Sequence, residues 1–183
     1  VGPLRLVGSG VKSPSAVKRA AFASFGVAAL AGLALAAVVG WELIAVGVAA
    51  IAAAWFYTGG PRPYGYAGFG ELFVFVFFGL VATVGSTYVH TGEITGLSVG
   101  AAIPVGLLST ALLVVNNLRD IPGDTEAGKR TLAVRLGDRA TRALYTGLLA
   151  VSFLVVPPLA AFGRIGAVVA LAGIPFAQRP VVT

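Results

Sequence analysis

Long stretches without a single charged side chain dominate this sequence. Uncharged runs lie at 20–41 (22 residues), 43–61 (19), 72–92 (21), 94–118 (25) and 143–163 (21). A helix that crosses a bilayer needs ~20 predominantly apolar residues, and each run supplies about that many. The apolar residues go all the way round each run instead of following one stripe, which indicates membrane helices rather than amphipathic surface ones. A sixth run, 165–178, has only 14 residues and contains Pro175, so it is a short or tilted span or an interfacial segment. The expected fold is therefore all-α, a polytopic transmembrane helix bundle of about six helices. With 11% charged residues against ~25% in an ordinary soluble domain, the chain lies outside the soluble class.

The few charges then orient the bundle. The net charge is +6 and the pI near 10.2, but the basic residues are sparse and sit between apolar spans, which points to membrane topology and away from nucleic acid. Placing the N-terminus in the cytoplasm puts 1–19, 62–71, 119–142 and 179–183 inside. Those segments hold Arg5, Lys12, Lys18, Arg19, Arg62, Arg119, Lys129, Arg130, Arg135, Arg139, Arg142 and Arg179, leaving only Arg164 outside. Positive charge concentrates on the cytoplasmic side of membrane proteins, so this arrangement assigns the long polar loops to the cytoplasm. The outer loops are short and carry little chemistry; His90 and Glu93 are expected to be solvated there. The absence of cysteine excludes disulfides, thiolate nucleophiles and zinc–thiolate sites. There is no methionine even at position 1, and residues 1–19 carry four cations and no apolar core, so this stretch lacks a signal-peptide pattern and a fragment of a longer membrane protein is expected.

Against that background the stretch from Asn116 to Gly137 stands out. Asn116, Asn117, Arg119, Asp120 and Asp124 end the fourth apolar run, and Lys129 and Arg130 follow at once. Charge beside a membrane core is expensive and marks a candidate functional site. Carboxylates and amides suit Mg²⁺, and neighbouring cations suit a phosphate ester. Asn116, Asp120 and Asp124 share one face on an unbroken helix, but Pro122-Gly123 is expected to end the helix near Ile121, with a second helix over Thr125–Leu136 and Gly137 as its stop. The plain structural alternative has Asp124 capping the next helix and Asp120 pairing with Arg119.

The pattern N-N-x-R-D-x-x-x-D-x-x-x-G-K-R-T-L-A-V-R-L-G, read from Asn116 to Gly137, resembles the second aspartate-rich motif of the UbiA-type intramembrane prenyltransferases. Gly2 to Gly10 and Tyr57-Thr58-Gly59-Gly60-Pro61-Arg62-Pro63 are further matches. The Tyr57 loop resembles most the branch that prenylates 1,4-dihydroxy-2-naphthoate in menaquinone synthesis. The resemblance covers nearly the whole chain and implies a single transmembrane domain over 1–183, about six helices of a nine-helix fold, with 119–142 as a cytoplasmic active-site loop. It also implies that the earlier N-D-x-x-D-x-x-x-D motif and the last helix lie outside this chain, which alone is expected to be inactive.

The activity so implied is transfer of a polyprenyl group from polyprenyl diphosphate to 1,4-dihydroxy-2-naphthoate, with loss of diphosphate and CO₂, giving demethylmenaquinone. It takes place in the bacterial cytoplasmic membrane and depends on Mg²⁺. Asp120 and Asp124 are the implied catalytic pair and, with Asn116, the metal set. Arg119, Lys129, Arg130 and Arg5 are implied at the diphosphate. Tyr57, Asn117 and Arg62 are implied at the aromatic-substrate pocket, although Arg62 stands one place after the usual basic position, here Pro61, and Tyr57 also fits an interfacial aromatic belt. Two alternatives stay open: another acceptor (4-hydroxybenzoate, homogentisate or haem), or a non-catalytic multi-span membrane protein.

Overall fold

The computed structural model describes residues 6–161 and 165–177, and within them every regular element is helical. Helix α1 (Pro14–Val38) and α2 (Glu42–Thr58) come first, followed by a short 3₁₀ turn at Tyr64–Ala67. A continuous rod then combines α3 (Gly70–Val74), a π-helical turn (Phe75–Val81) and α4 (Ala82–Thr91). The long helices α5 (Gly96–Glu126) and α6 (Leu132–Ala161) follow, and a 3₁₀ segment (Ile165–Gly173) leads into α7 (Ile174–Ala177). These make six helical rods, the number that the uncharged runs led us to expect. Four of them are long and apolar enough to cross a bilayer: Pro14–Val38, Gly70–Thr91, Gly96–Glu126 and Leu132–Ala161.

The distribution of side chains is that of a protein solvated by lipid. Leu30, Val38, Phe78, Leu112 and Leu154 point outward and are exposed, while the buried apolar set is mostly small: Ala36, Ala102, Ala111, Ala133 and Val114. Lipid tails are as apolar as leucine, so burying large side chains between membrane helices gains little, and small residues let backbones approach.

Two compact units make up the chain, Val1–Ile51 and Ala52–Thr183. In the first, Ser13 caps α1 by accepting a hydrogen bond from the Ala16 N–H, with Pro14 at the first helical position where its missing N–H costs nothing. An apolar cleft of about 350 Å³ is lined by Ala28, Gly32, Leu33, Ile44, Gly47 and Val48.

In the second unit α5 is central, packing along α6 and against the π-turn, α3 and α4. Its start is fixed by a capping box between Thr95 and Ser98. Its buried face steps by four residues through Ser98, Ala102, Gly106, Thr110 and Val114. The closest backbone approach is at Gly79 and Gly106: a Cβ on Gly79 would sit 2.9 Å from the Gly106 nitrogen, which only glycine avoids. The Gly96-x-x-x-Gly100 pair behaves differently. Gly96 faces open space and only Gly100 is tight, against Leu159.

One expectation is corrected here. The fourth span does not break near Ile121: α5 runs through Pro104 and Pro122 to Glu126, and residues 127–131 form the turn, so no helix starts at Thr125. A proline one turn before a helix end removes a single hydrogen bond, the one its N–H would have donated to Leu118. The hydroxyl of Thr125 donates to the Ile121 carbonyl at 2.7 Å, and the termination motif beyond holds the last turn. Gly137 does end a helical stretch, as expected: at φ 76° and ψ 173° its backbone is non-helical, and two helices meet there across a kink within Leu132–Ala161.

Candidate active site

The end of α5 closes with a Schellman motif, and that motif builds the site. Gly128 adopts φ +69°. Its N–H donates to the Thr125 carbonyl at 3.0 Å, and the Lys129 N–H donates to the Asp124 carbonyl at 2.9 Å. The chain thereby folds back and lays Lys129 over the last helical turn. Its ammonium reaches the Asp124 carboxylate at 2.7 Å and stands 4.9 Å from the centre of the Tyr66 ring.

The neighbouring loop is tied in by backbone contacts. The Arg130 N–H donates to the Tyr66 carbonyl at 2.9 Å. Gly68, at φ +85°, leaves room for the Arg130 carbonyl, which a Cβ would meet at 3.3 Å. Thr131 then caps α6 through a bond from the Val134 N–H. Charge counting placed loops 62–71 and 119–142 on one side of the membrane, and the structure brings Tyr66 and Gly68 against 129–132 at one end of the bundle.

The two aspartates have different surroundings. Asp124 is buried, 8% exposed, and lies seven residues beyond the half-buried Asn117 on the continuation of the buried face of α5. Asp120 forms a bidentate pair with Arg119 at 2.9 and 3.3 Å, with the two side chains 39% and 55% exposed. Asn116 is exposed. Arg130 and Arg62 are also exposed, and Arg5 lies outside the described residues.

A residue missed in the sequence completes the cluster. Glu71, in the first turn of α3, is 7% exposed. Its Oε1 accepts a hydrogen bond from Asn117 Nδ2 at 3.0 Å, and its Oε2 is buried with no hydrogen-bond partner among the described residues. Tyr57 sits beside it. The Tyr57 hydroxyl would lie 3.6 Å from a Cβ on Gly70, and it is within electrostatic reach of Glu71, Tyr66 and Asp124. From Tyr57 an aromatic wall leads toward the apolar span: Tyr64 edge-on at 5.5 Å between ring centres, Phe73 stacked on Tyr64 at 3.9 Å, then Phe77 at 6.1 Å. The Tyr64 hydroxyl donates to the Ala53 carbonyl at 2.7 Å, and burial, then Tyr57, push its pKa up, keeping it a donor. In the sequence Glu71 reads only as the boundary of an uncharged run. The signal that marks it is a carboxylate at a span edge with no cation within four residues on either side.

The donors at this end are oxygens and cations, the set that suits Mg²⁺ and phosphate. Among the described residues no three His, Cys, Asp or Glu side chains stand close enough to enclose an ion. Mg²⁺ commonly binds through one or two carboxylates and completes its shell with water and substrate phosphate, so Asp120 and Asp124, one turn apart, fit it as part of a shared site.

Comparison with known proteins agrees with this composition. The UbiA prenyltransferase family profile matches residues 3–179. The chain is similar to the 1,4-dihydroxy-2-naphthoate octaprenyltransferase of Mycobacterium tuberculosis, 57% identical over 152 residues that cover 83% of this chain and 52% of the relative. The enzyme of that description from Mycobacterium leprae is 47% identical over 186 residues, covering 98% and 62%, and that from Escherichia coli is 42% identical over 155 residues, covering 81% and 50%. The chain thus spans about half the length of the curated relatives it matches. No solved structure was found to match it.

Proposed function

Because the chain belongs to the UbiA prenyltransferase family, we propose that the full protein transfers a polyprenyl group from polyprenyl diphosphate to 1,4-dihydroxy-2-naphthoate. Diphosphate and CO₂ leave, and the product is demethylmenaquinone in its quinol form. The reaction takes place in the bacterial cytoplasmic membrane, with the 62–71 and 119–142 loops at the cytoplasmic face. The observation that carries the reading is the buried Asp124 gripped by Lys129 within the stretch that bears the family motif. The names of the relatives support the choice of acceptor.

Asp120 and Asp124, with Asn116 beside them, are the residues that would hold Mg²⁺, which when bound neutralises charge on the departing diphosphate. Lys129 is held by both Asp124 and the Tyr66 ring, so its ammonium is in position before diphosphate arrives. Arg119, Arg130 and Arg5 supply further positive charge for phosphate oxygens, Arg119 through a guanidinium fork suited to two oxygens at once. Tyr57 and Asn117, with Arg62 at the rim, line the acceptor pocket, and the aromatic wall behind Tyr57 offers π faces to a developing allylic cation.

The test is prenyl transfer by the intact protein with Asp120→Ala. Turnover should disappear, and retained turnover would refute the assignment of the aspartates. Competition between 1,4-dihydroxy-2-naphthoate and 4-hydroxybenzoate on the same membranes checks the acceptor. A preference for the benzoate would move the protein to another branch of the family.

A further inference from the structure

A carboxylate buried in a membrane protein without a cation is costly to keep, and among the described residues Glu71 has no ion-pair partner. It is 7% exposed, and one of its oxygens is spent on the Asn117 amide. The other oxygen, Oε2, is buried with no hydrogen bond to receive among the described residues. Buried polar atoms in folded proteins are nearly always paired, so an orphan acceptor at a functional site is one that a ligand completes. What surrounds it narrows the ligand. Tyr57 borders it from α2, with its hydroxyl close to Gly70, and Tyr57 is also within electrostatic reach of Tyr66 and Asp124. The Lys129 ammonium is committed to Asp124 and to the Tyr66 ring, and the groups shown beside Glu71 are the Asn117 amide and the Tyr57 phenol. A hydroxyl on an aromatic ring matches that setting: it donates one hydrogen bond and places its ring among the aromatic side chains.

We propose that Oε2 of Glu71 receives a ring hydroxyl of the aromatic acceptor, making Glu71 a residue that selects hydroxylated rings and takes the hydroxyl proton during prenyl transfer. This rests on the prenyltransferase reading above. In the step, the hydroxyl O–H bond breaks toward Oε2, and its electron pair moves through the ring. The ring carbon bearing the carboxylate bonds to the allylic carbon, whose bond to diphosphate oxygen breaks with the pair leaving on diphosphate. The ring is then a ketone with a carboxylate on the adjacent carbon. Loss of CO₂ returns that electron pair to the ring, and the ketone oxygen recovers the proton from Glu71. No outside oxidant or base is consumed. Asn117 is the positioning residue, since its amide fixes which carboxylate oxygen remains open.

The experiment uses the intact full-length protein with Glu71→Gln, which retains a carbonyl oxygen for Asn117 but loses the charge and the free carboxylate oxygen. Three quantities are measured: affinity for 1,4-dihydroxy-2-naphthoate, affinity for its 1,4-dimethoxy analogue, and affinity for an unreactive prenyl thiodiphosphate with Mg²⁺. The wild type should favour the hydroxylated ring, and E71Q should lose that preference by about tenfold or more. Its kcat/KM for the acceptor should fall by about 10²-fold, while thiodiphosphate affinity stays within about twofold of wild type. An unchanged ring preference overturns the proposal. So does a parallel loss of thiodiphosphate binding, which would make Glu71 part of the metal and diphosphate side. If the wild type binds thiodiphosphate but neither naphthoate, the choice of acceptor fails instead. Should E71Q not fold, Glu71→Asp replaces it. That variant should keep the preference for hydroxyls with weaker acceptor binding, and wild-type affinity in E71D overturns the proposal.

Discussion

Helix α5 is bounded by two turns that use one device for opposite ends of the bundle. At 92–95 the preceding helix stops on Gly92 at φ +73°, and at 127–131 α5 itself stops on Gly128 at φ +69°. Beyond that shared stop they differ. Around Gly92 the hydrogen bonds are local: the Gly92 N–H to Tyr88, Thr91 to Glu93, and the Thr95–Ser98 box. Around Gly128 the contacts reach across the chain, from Lys129 to the Tyr66 ring and from Arg130 to the Tyr66 carbonyl, and two turns earlier on α5 Asn117 bonds the distant Glu71. A glycine stop is a generic way to end a membrane helix. What distinguishes a site is that its polar groups are partnered by residues far away in sequence.

Substitutions at matched positions break this comparison if it is wrong. The largest contrast should come from Asp124→Asn set against Glu93→Gln in the full protein. Prenyl transfer should fall by about 10²–10³-fold in the first, and hardly change in the second. Next, Gly128→Ala and Gly92→Ala carry a similar conformational penalty of roughly 1–2 kcal/mol. Thermal unfolding in detergent should therefore show comparable losses in Tm. Only G128A should also weaken diphosphate binding, because it moves Lys129, and equal activity in the two variants would contradict that role for the turn. Tyr66→Leu removes the ring over Lys129 and should cost about 0.5–1 kcal/mol, seen as a several-fold rise in KM for polyprenyl diphosphate. The smallest effect is expected for Arg142→Ala. Its pair with Asp138 is solvent-exposed on both sides, so Tm should match the wild type within error.

The fold was legible because membrane helices are specified locally: each needs a run of apolar residues, and counting between charges located all six rods. The end of α5 was misread because a proline's local cost was judged without the motif beyond it. Pro122 removes one hydrogen bond, whereas the Schellman turn at Gly128 and the burial of Asp124 favour continuing the helix. The site was legible where its members are neighbours in sequence, as with Asp124 and Lys129. The spacing of four that groups Asn116, Asp120 and Asp124 did not reveal which amide lies inside. The buried face instead runs through Val114 toward Asn117 and Asp124, leaving Asn116 exposed. Glu71 escaped notice because its bond to Asn117 joins residues 46 positions apart, a pairing that no local pattern records.

The π-turn at Phe75–Val81 also sets the rotational phase of the rod that contains it. Each residue advances by roughly 80° in a π-turn against about 100° in an α-turn. Over the four steps from Phe75 to Gly79, the wider turn withholds roughly 80° of rotation. Without it, Glu71 and Gly79 would point about 80° apart. With it, both lie along one line, so the glycine that admits Gly106 and the carboxylate that meets Asn117 face α5 together. Straightening Phe75–Val81 to an even α pitch with every residue kept would turn the Glu71 end about 80° away from its partner, like a key in a lock. Removing one residue between Phe75 and Phe78 at the same time would bring the two faces back to within about 20°.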